Sequence, residues 1–465
     1  MLTDAVRGSS GGVLRLEQNA FGGIGGGSED GFGATGGLAT SHLTLSDSTA
    51  VWFVATTVGA YGGSGGQGSG SASAGAGGAA EAVLALLSTS TGAGGSVIAV
   101  GGAGGDSAAG GHGMGGDARA RGAVESTVGA DSAVSARGGA GYLGLADGGR
   151  ADVVSRATSA GAAVAKGEAY GGTGNVLGRA SSLVEARSTT AFGSSLATAE
   201  ATGLQADATA RSMAQGAASN YAYATSMGEY GAANSLSNST GVGGVTVQTQ
   251  AGAPAGGTVR TATSTNVGGN SYGMMGPASG YQALSYALAA PTAGTLGDVL
   301  ADAPAVAAAL ADSQVMGIGT MASSFGADGV WGTPYSYITT ANFVFATGVA
   351  GHLTLGLLGS VSEAAGFTEL ELIVRSHGTE VFSQTFTTVA EAQSFFNDRA
   401  LVLGMLGAGN QDLLVSAGFT LTEPGGFGFE YAVGVAPIPE PGTWMLLLAG
   451  LTVVLLRRRS SREPS

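Results

Sequence analysis

The sequence predicts a mainly β protein in three parts: a Gly/Ala-rich repeat region that is β-solenoid-like or partly disordered, a small β-sandwich with one helix, and a C-terminal transmembrane helix. Three observations predict it. Glycine supplies 87 of 465 residues and alanine much of the apolar total, so the long middle has little side-chain bulk. Large β-forming residues return after about residue 330 in runs of period two. Near the end, the uncharged run Trp444 to Leu456 lies between prolines and arginines.

Composition excludes several classes. Charged residues are only 11% and mean hydropathy is positive, unlike the charged, polar composition of ordinary disorder. No collagen-like period of three runs through the glycines and only 10 prolines occur, which excludes a triple helix. The formal charge is -14 and no basic stripe precedes the C-terminus, so nucleic acid is not a partner. Cysteine is absent, and with it disulfides, thiolate metal sites and thiol nucleophiles. Arg7, Arg15 and Glu17 interrupt the first 25 residues, which hold no continuous apolar run readable as a secretory signal. The expectation is a misassigned start or a trimmed sequence.

Residues 1–58 read as a β-rich N-terminal segment and 59–116 as a Gly/Ala/Ser-rich low-complexity segment. Within the latter, Gly62-Gly63-Ser64-Gly65-Gly66 spells a nucleophile-elbow pattern, discarded because no strand is read before it and no helix after it. Gly101 to Asp106 matches a calcium-binding nonapeptide, but the next candidate, Asp117, lies 117 − 106 = 11 residues on rather than nine, and no metal is assigned. Residues 117–290 carry irregular Ala/Gly-rich repeats. Ala206, Ala208 and Ala210 alternate with Asp207, Thr209 and Arg211, and similar openings recur at Arg150-Ala151, Arg179-Ala180 and Gln205-Ala206, spaced 179 − 150 = 29 and 205 − 179 = 26. Such spacing reads as solenoid rungs in which small residues stack inward and glycines turn corners. A flexible spacer is the alternative reading.

Residues 295–316 read as a helical connector, opened by a capping box at Thr295–Asp298 and restarted at Pro304. Its aspartates Asp298, Asp302 and Asp312 read as a solvated face rather than metal ligands. Residues 330–436 read as a sandwich of six strands: Tyr337–Ala346, His352–Leu358, Glu369–Arg375, Val381–Thr387, Leu413–Thr422 and Phe427–Val435. The last should bury Phe427, Phe429, Tyr431, Val433 and Val435. A hairpin is expected at His377-Gly378-Thr379, and a helix from Thr388 with Val389, Ala392, Phe395 and Phe396 inward.

Catalysis needs convergent acids, bases or nucleophiles, and none assemble from the sequence. His42, His112, His352 and His377 are scattered, and Glu369, Glu371, Glu380 and Glu430 read as exposed strand residues rather than a catalytic pair. Neither an enzyme nor a cofactor is predicted. Trp331, Tyr335 and Tyr337 are candidate glycan contacts, since exposed aromatic rings stack on sugars; domain-entry packing explains them equally well.

The end of the chain carries the most specific pattern. Pro439, Glu440 and Pro441 hold the chain extended and are followed by Gly442, by Trp444 to Leu456, and by Arg457, Arg458 and Arg459. The uncharged run has 456 − 444 + 1 = 13 residues, or about 20 Å as a helix, short of roughly 30 Å of bilayer hydrocarbon. Charge bias would place the arginines in the cytoplasm. Residues 437–462 closely resemble the PEP-CTERM sorting domain. The resemblance implies that Pro439, Glu440, Pro441 and Gly442 form the motif met by an exosortase-like membrane enzyme, with Trp444 to Leu456 as membrane segment and Arg457 to Arg459 as stop. It further implies transient passage through the inner membrane and export to the cell envelope or an extracellular matrix, in contact with exopolysaccharide. The function expected is that of a structural or adhesive surface protein, with a carbohydrate-binding protein as alternative and a surface hydrolase third. An ordinary tail anchor is the competing reading of the segment itself.

Overall fold

The structure, a computed structural model, describes residues 1–437 apart from 30, 191–192, 215–219, 228–229, 241–245, 253–257, 267–281 and 326–334, and for the strands between 230 and 266 the backbone path. Its described residues form two facing 13-stranded sheets. The first sheet takes, in spatial order, Leu2–Thr3, Ala39–Asp47, Ala80–Ser88, Ala118–Ser126, Ala151–Ser159, Ala180–Ser188, Gln205–Ala214, Tyr230–Thr240, Thr258–Asn266, Tyr335–Thr347, Gly409–Leu421, Glu369–Ser376 and Thr379–Phe386. The second takes Val13–Phe21, Phe53–Tyr61, Ala93–Val100, Gly129–Arg137, Ala162–Tyr170, Ser195–Thr202, Asn220–Met227, Thr246–Gly252, Gln282–Ala289, Gln314–Phe325, Gly425–Pro437, Gly351–Ala364 and Arg399–Leu406.

Up to Gly252 the chain alternates between sheets, and each strand pairs in parallel with the next strand of its own sheet, which makes this part a solenoid of two-strand coils. In-register stacking turns a repeated residue into a column. Ala39, Ala80, Ala118, Ala151, Ala180 and Ala206 form one in the first sheet. Ala20, Ala60, Ala99, Ala136, Ala169 and Ala201 form its counterpart in the second. Methyl-sized side chains let the sheets approach closely, and several of the larger residues sit opposite glycine. A Cβ on Gly95 would lie 2.5 Å from Leu84, and one on Gly167 would lie 2.6 Å from Val184. Buried hydroxyls pair across the gap, as Ser155 and Ser132 do at 2.9 Å. Where coils turn, Asp47, Ser88, Ser126 and Ser159 stand in another column. There the Asp47 carboxylate accepts from Ala50 N–H at 2.9 Å and the Ser159 hydroxyl from Gly161 N–H at 2.9 Å, a local alternative to the sheet ladder.

At the other end of each coil the chain leaves the second sheet, travels out and returns to the first. These arms span 22–38, 62–79, 101–117, 138–150, 171–179 and 203–204, so they hold a similar length over the first three coils and shorten after that. Their backbone hydrogen bonds repeat every third residue. Gly62, Gly65 and Gly68 donate to Val100, Ala103 and Asp106 of the next outgoing arm, each at 2.8 Å. Gly63 and Gly66 donate across to Gly37 and Ala34 of the preceding returning arm at 2.9 and 2.8 Å. Three residues per turn without internal hydrogen bonds is the polyproline-II helix, and here neighbouring helices supply the partners that water would otherwise provide. In each Gly-Gly-x step the first glycine bonds along its layer, the second bonds across, and the third residue faces solvent. The second position admits no side chain: a Cβ on Gly102 would sit 1.9 Å from the Gly63 carbonyl oxygen.

Beyond this solenoid the same two sheets continue with antiparallel strands. Gln282–Ala289 runs against Thr246–Gly252, and Tyr335–Thr347, still parallel to Thr258–Asn266, is followed by antiparallel Gly409–Leu421. The gap fills with aromatic rings, including Tyr337, Phe343, Phe386, Phe396, Phe419, Phe427, Phe429 and Tyr431. Helix Val389–Phe396 joins the last strands of the two sheets and buries Ala392 and Phe396 between them, closing that end of the core. Helices Ala293–Leu300 and Pro304–Leu310 lie on the second sheet, where Val306 and Leu310 meet Tyr286, Leu288, Ile318 and Ala432. Asp398 secures the second of them, accepting from Ala305 and Val306 N–H at 3.0 and 2.9 Å.

Several expectations need correction. The sandwich is not a separate small domain: its strands extend the solenoid's sheets, which also cross the boundary expected at 58/59. Among the described residues no helix is long and apolar enough to cross a membrane, which overturns the C-terminal transmembrane helix as a described element; Trp444 to Leu456 lie outside the described residues. The first helix starts earlier than read, with Thr292 rather than Thr295 as its cap. Strand Arg399–Leu406 was missed, and a strand, Phe53–Tyr61, does precede Gly62 to Gly66, though a polyproline-II arm follows it rather than a helix.

Candidate functional surface

The structure scatters most of the residues singled out in the sequence. Pro439, Glu440, Pro441, Gly442, Trp444, Leu456, Arg457, Arg458 and Arg459 lie outside the described residues, as does Trp331. Tyr335 opens strand Tyr335–Thr347. Tyr337 is 1% exposed, so its ring packs in the core and cannot meet a glycan. Glu369 and Glu371 are exposed on the first sheet, Glu380 sits 3.9 Å from Arg375 on its edge hairpin, and Glu430 belongs to the second sheet, so these carboxylates do not converge. Asp298, Asp302 and Asp312 are exposed. Among the described residues no group of three or more His, Asp or Glu side chains is placed to hold a metal. Asp106, the end of the calcium-like stretch, faces His112 at 3.6 Å, and that imidazole stacks on Tyr142 at 5.3 Å.

What the fold does assemble is an ordered outer face on the second sheet. The residue just before each arm's Gly-Gly pair falls in one register column: Phe21, Tyr61, Val100, Arg137 and Tyr170. Phe21 and Tyr61 stack at 4.9 Å with their planes 11° apart, and the Arg137 guanidinium lies over the Tyr170 ring at 5.5 Å. The Tyr170 hydroxyl donates to Glu200 at 3.3 Å, while Lys166 and Glu168 pair at 2.5 Å beside it. Burial first, and then the Glu200 and Glu168 carboxylates, push the Tyr170 phenol up to about 12. Farther along the same face Tyr221 and Tyr223 stack at 6.2 Å, and burial raises Tyr223 from the usual phenol range.

Chemically, this face offers flat rings beside carboxylates, an ammonium and a guanidinium, a combination that can stack on sugar rings and hydrogen-bond their hydroxyls. The opposite face is different: the first sheet carries an ion-pair ladder in which Arg156 and Arg211 both reach Glu185, at 2.8 and 3.2 Å, and Arg119 reaches Asp152 at 3.6 Å. Sequence reading missed the aromatic row, although its signal was present in Phe21, Tyr61, Arg137 and Tyr170, each placed before the first Gly-Gly pair of an arm, with Val100 the exception. No protein-family model and no curated protein matches this chain.

Proposed function

We propose that this is an exported bacterial cell-surface or extracellular-matrix protein with a structural or adhesive role, sorted through Pro439-Glu440-Pro441-Gly442 by an exosortase-like enzyme. The observation that carries the reading is the ordered C-terminal pattern of Pro-Glu-Pro, an uncharged run and three arginines. A repetitive scaffold stacked coil on coil, with its backbone hydrogen bonds satisfied between neighbours, supports a structural rather than a catalytic role. Mass spectrometry of the mature protein from its native envelope or secretions tests it. A C-terminus between Pro439 and Gly442 is the expected result; an intact tail from Arg457 to Ser465 would overturn the sorting role.

The row of Phe21, Tyr61, Arg137 and Tyr170 favours a second reading, carbohydrate binding, with exopolysaccharide as ligand class. Retention in polysaccharide-containing affinity gels, lost in a Tyr61→Ala/Tyr170→Ala variant, is the expected behaviour. Mobility unaffected by polysaccharide would exclude it.

A further inference from the structure

Large apolar side chains are unusually exposed on the first coil: Phe21 is 74% accessible, Ile24 80%, Phe32 77%, Val51 67% and Trp52 76%. The same coil ends the second sheet with strand Val13–Phe21, which among the described residues pairs on one side only. Trp52 N–H reaches the Gly12 carbonyl at 3.3 Å and Gly22 N–H the Tyr61 carbonyl at 2.8 Å, so even-numbered backbone groups face the neighbouring strand. Strand alternation then turns the N–H and C=O of Val13, Arg15, Glu17, Asn19 and Phe21 toward the open edge. The corresponding end of the first sheet is treated differently. Leu2–Thr3 pairs there, and the Asp4 carboxylate accepts from Thr44 N–H at 2.7 Å. One edge is capped and the other is left as a template for a further strand.

We propose that a second copy of this chain covers the open edge, its Val13–Phe21 strand pairing antiparallel about a two-fold axis at Leu16. In this register Arg15 stands opposite Glu17 of the second copy and Glu17 opposite Arg15 of the second copy, both as hydrogen-bonded pairs. The registers centred on Arg15 or on Glu17 set a charge against its own copy, and an odd shift turns the core face outward. Leu16 stands opposite Leu16 of the second copy at a non-hydrogen-bonded pair. Val13 of one copy falls opposite Asn19 of the other, so the pairing spans most of the strand. Charge and the alternation of faces select the same pairing.

Charge exchange in the full chain tests it, read by sedimentation equilibrium. The unmodified chain should be dimeric at micromolar concentration. Arg15→Glu and Glu17→Arg, each placing like charges opposite one another twice, should each weaken the dimer by about tenfold or more, and the double variant should restore it. A second readout does not depend on those charges. The chain has no cysteine, so Leu16→Cys introduces a single thiol at a non-hydrogen-bonded pair, where Cα atoms about 4.5 Å apart permit a disulfide. Oxidation should yield a covalent dimer, whereas Ala103→Cys on the exposed arm should not. A monomeric unmodified chain, single variants that dimerise unchanged, or Leu16→Cys cross-linking no better than Ala103→Cys would overturn the proposal.

Discussion

Between Val13 and Met227 the two sheets are separated mainly by alanine, serine and valine, whereas beyond Gln282 the same two sheets are separated by phenylalanine, tyrosine and leucine. The antiparallel part follows the common rule that burying large side chains drives folding, at roughly 25 cal/mol per Å². The parallel part buries far less per residue and compensates with hydrogen bonds: its strands bond to neighbouring coils, and its glycine arms bond both along and across their layers. Small side chains are the condition for that economy, because only glycine lets one backbone approach another closely enough. The comparison predicts opposite sensitivities, with the C-terminal part failing on removal of bulk and the solenoid on its addition.

The largest effect is expected where bulk is removed. Phe429 is buried and packs against Phe396 at a ring separation of 4.3 Å. Phe429→Ala should cost about 3–5 kcal/mol, read as a shift in the denaturation midpoint. In the solenoid, Gly102→Ala should cost roughly 1–3 kcal/mol, because the new methyl meets the Gly63 carbonyl. The loss should be local, with faster amide exchange at Gly102 and Gly116, whose bonds run to Gly78 and Gly102. Ala103→Leu, one residue away at the exposed third position, should leave stability and exchange unchanged. Equal sensitivity at Gly102 and Ala103 would break the comparison.

The same contrast governs what could be read from the sequence. In the antiparallel part, alternation located Gly425–Pro437 and its buried face, Thr388 marked the helix cap, and His377-Gly378 marked a hairpin in which both residues take positive φ, 48° and 77°. Strand Arg399–Leu406 escaped because Leu401, Val402 and Leu403 run consecutively and Gly404 interrupts the period. In the parallel part the openings at Ala151, Ala180 and Ala206 are indeed in register. The full coil was hidden because the arms shorten, so no fixed period spans the chain. The arms themselves were missed because their period of three lasts only a few residues at a time, too briefly to register as a repeat. The clue was local: Ala60-Tyr61-Gly62-Gly63, Ala99-Val100-Gly101-Gly102 and Ala169-Tyr170-Gly171-Gly172 share one grammar. The aromatic row is the residue before the glycines in that grammar, and only the register shows that those residues align.

A smaller effect concerns Tyr170. Its phenol stands at about 12 in the folded protein against an ordinary 10.0, so folding favours the protonated ring. That contribution is complete below the unfolded value and is lost as pH rises through the folded one; stability should therefore decline between about pH 10 and 12. Tyr170→Phe should flatten this part of the pH–stability curve and remove a late-titrating phenol from the near-ultraviolet absorbance titration. An unchanged titration curve would show that the column of parallel strands does not hold this phenol beside Glu200 and Glu168.

The smallest effect is expected on the first sheet's outer face. Glu185 joins Arg156 and Arg211 from the two adjacent strands, at 2.8 and 3.2 Å, but the two arginine side chains are 56% and 49% exposed. Water and salt screen such pairs, and ordering two long side chains costs entropy, so Glu185→Gln should lower stability by less than about 1 kcal/mol. Adding salt should shrink even that difference. If the loss instead matched that of Gly102→Ala, the charged ladder rather than the backbone lattice would be setting the order of the coils, and the division between the two parts would have to be redrawn around surface charge.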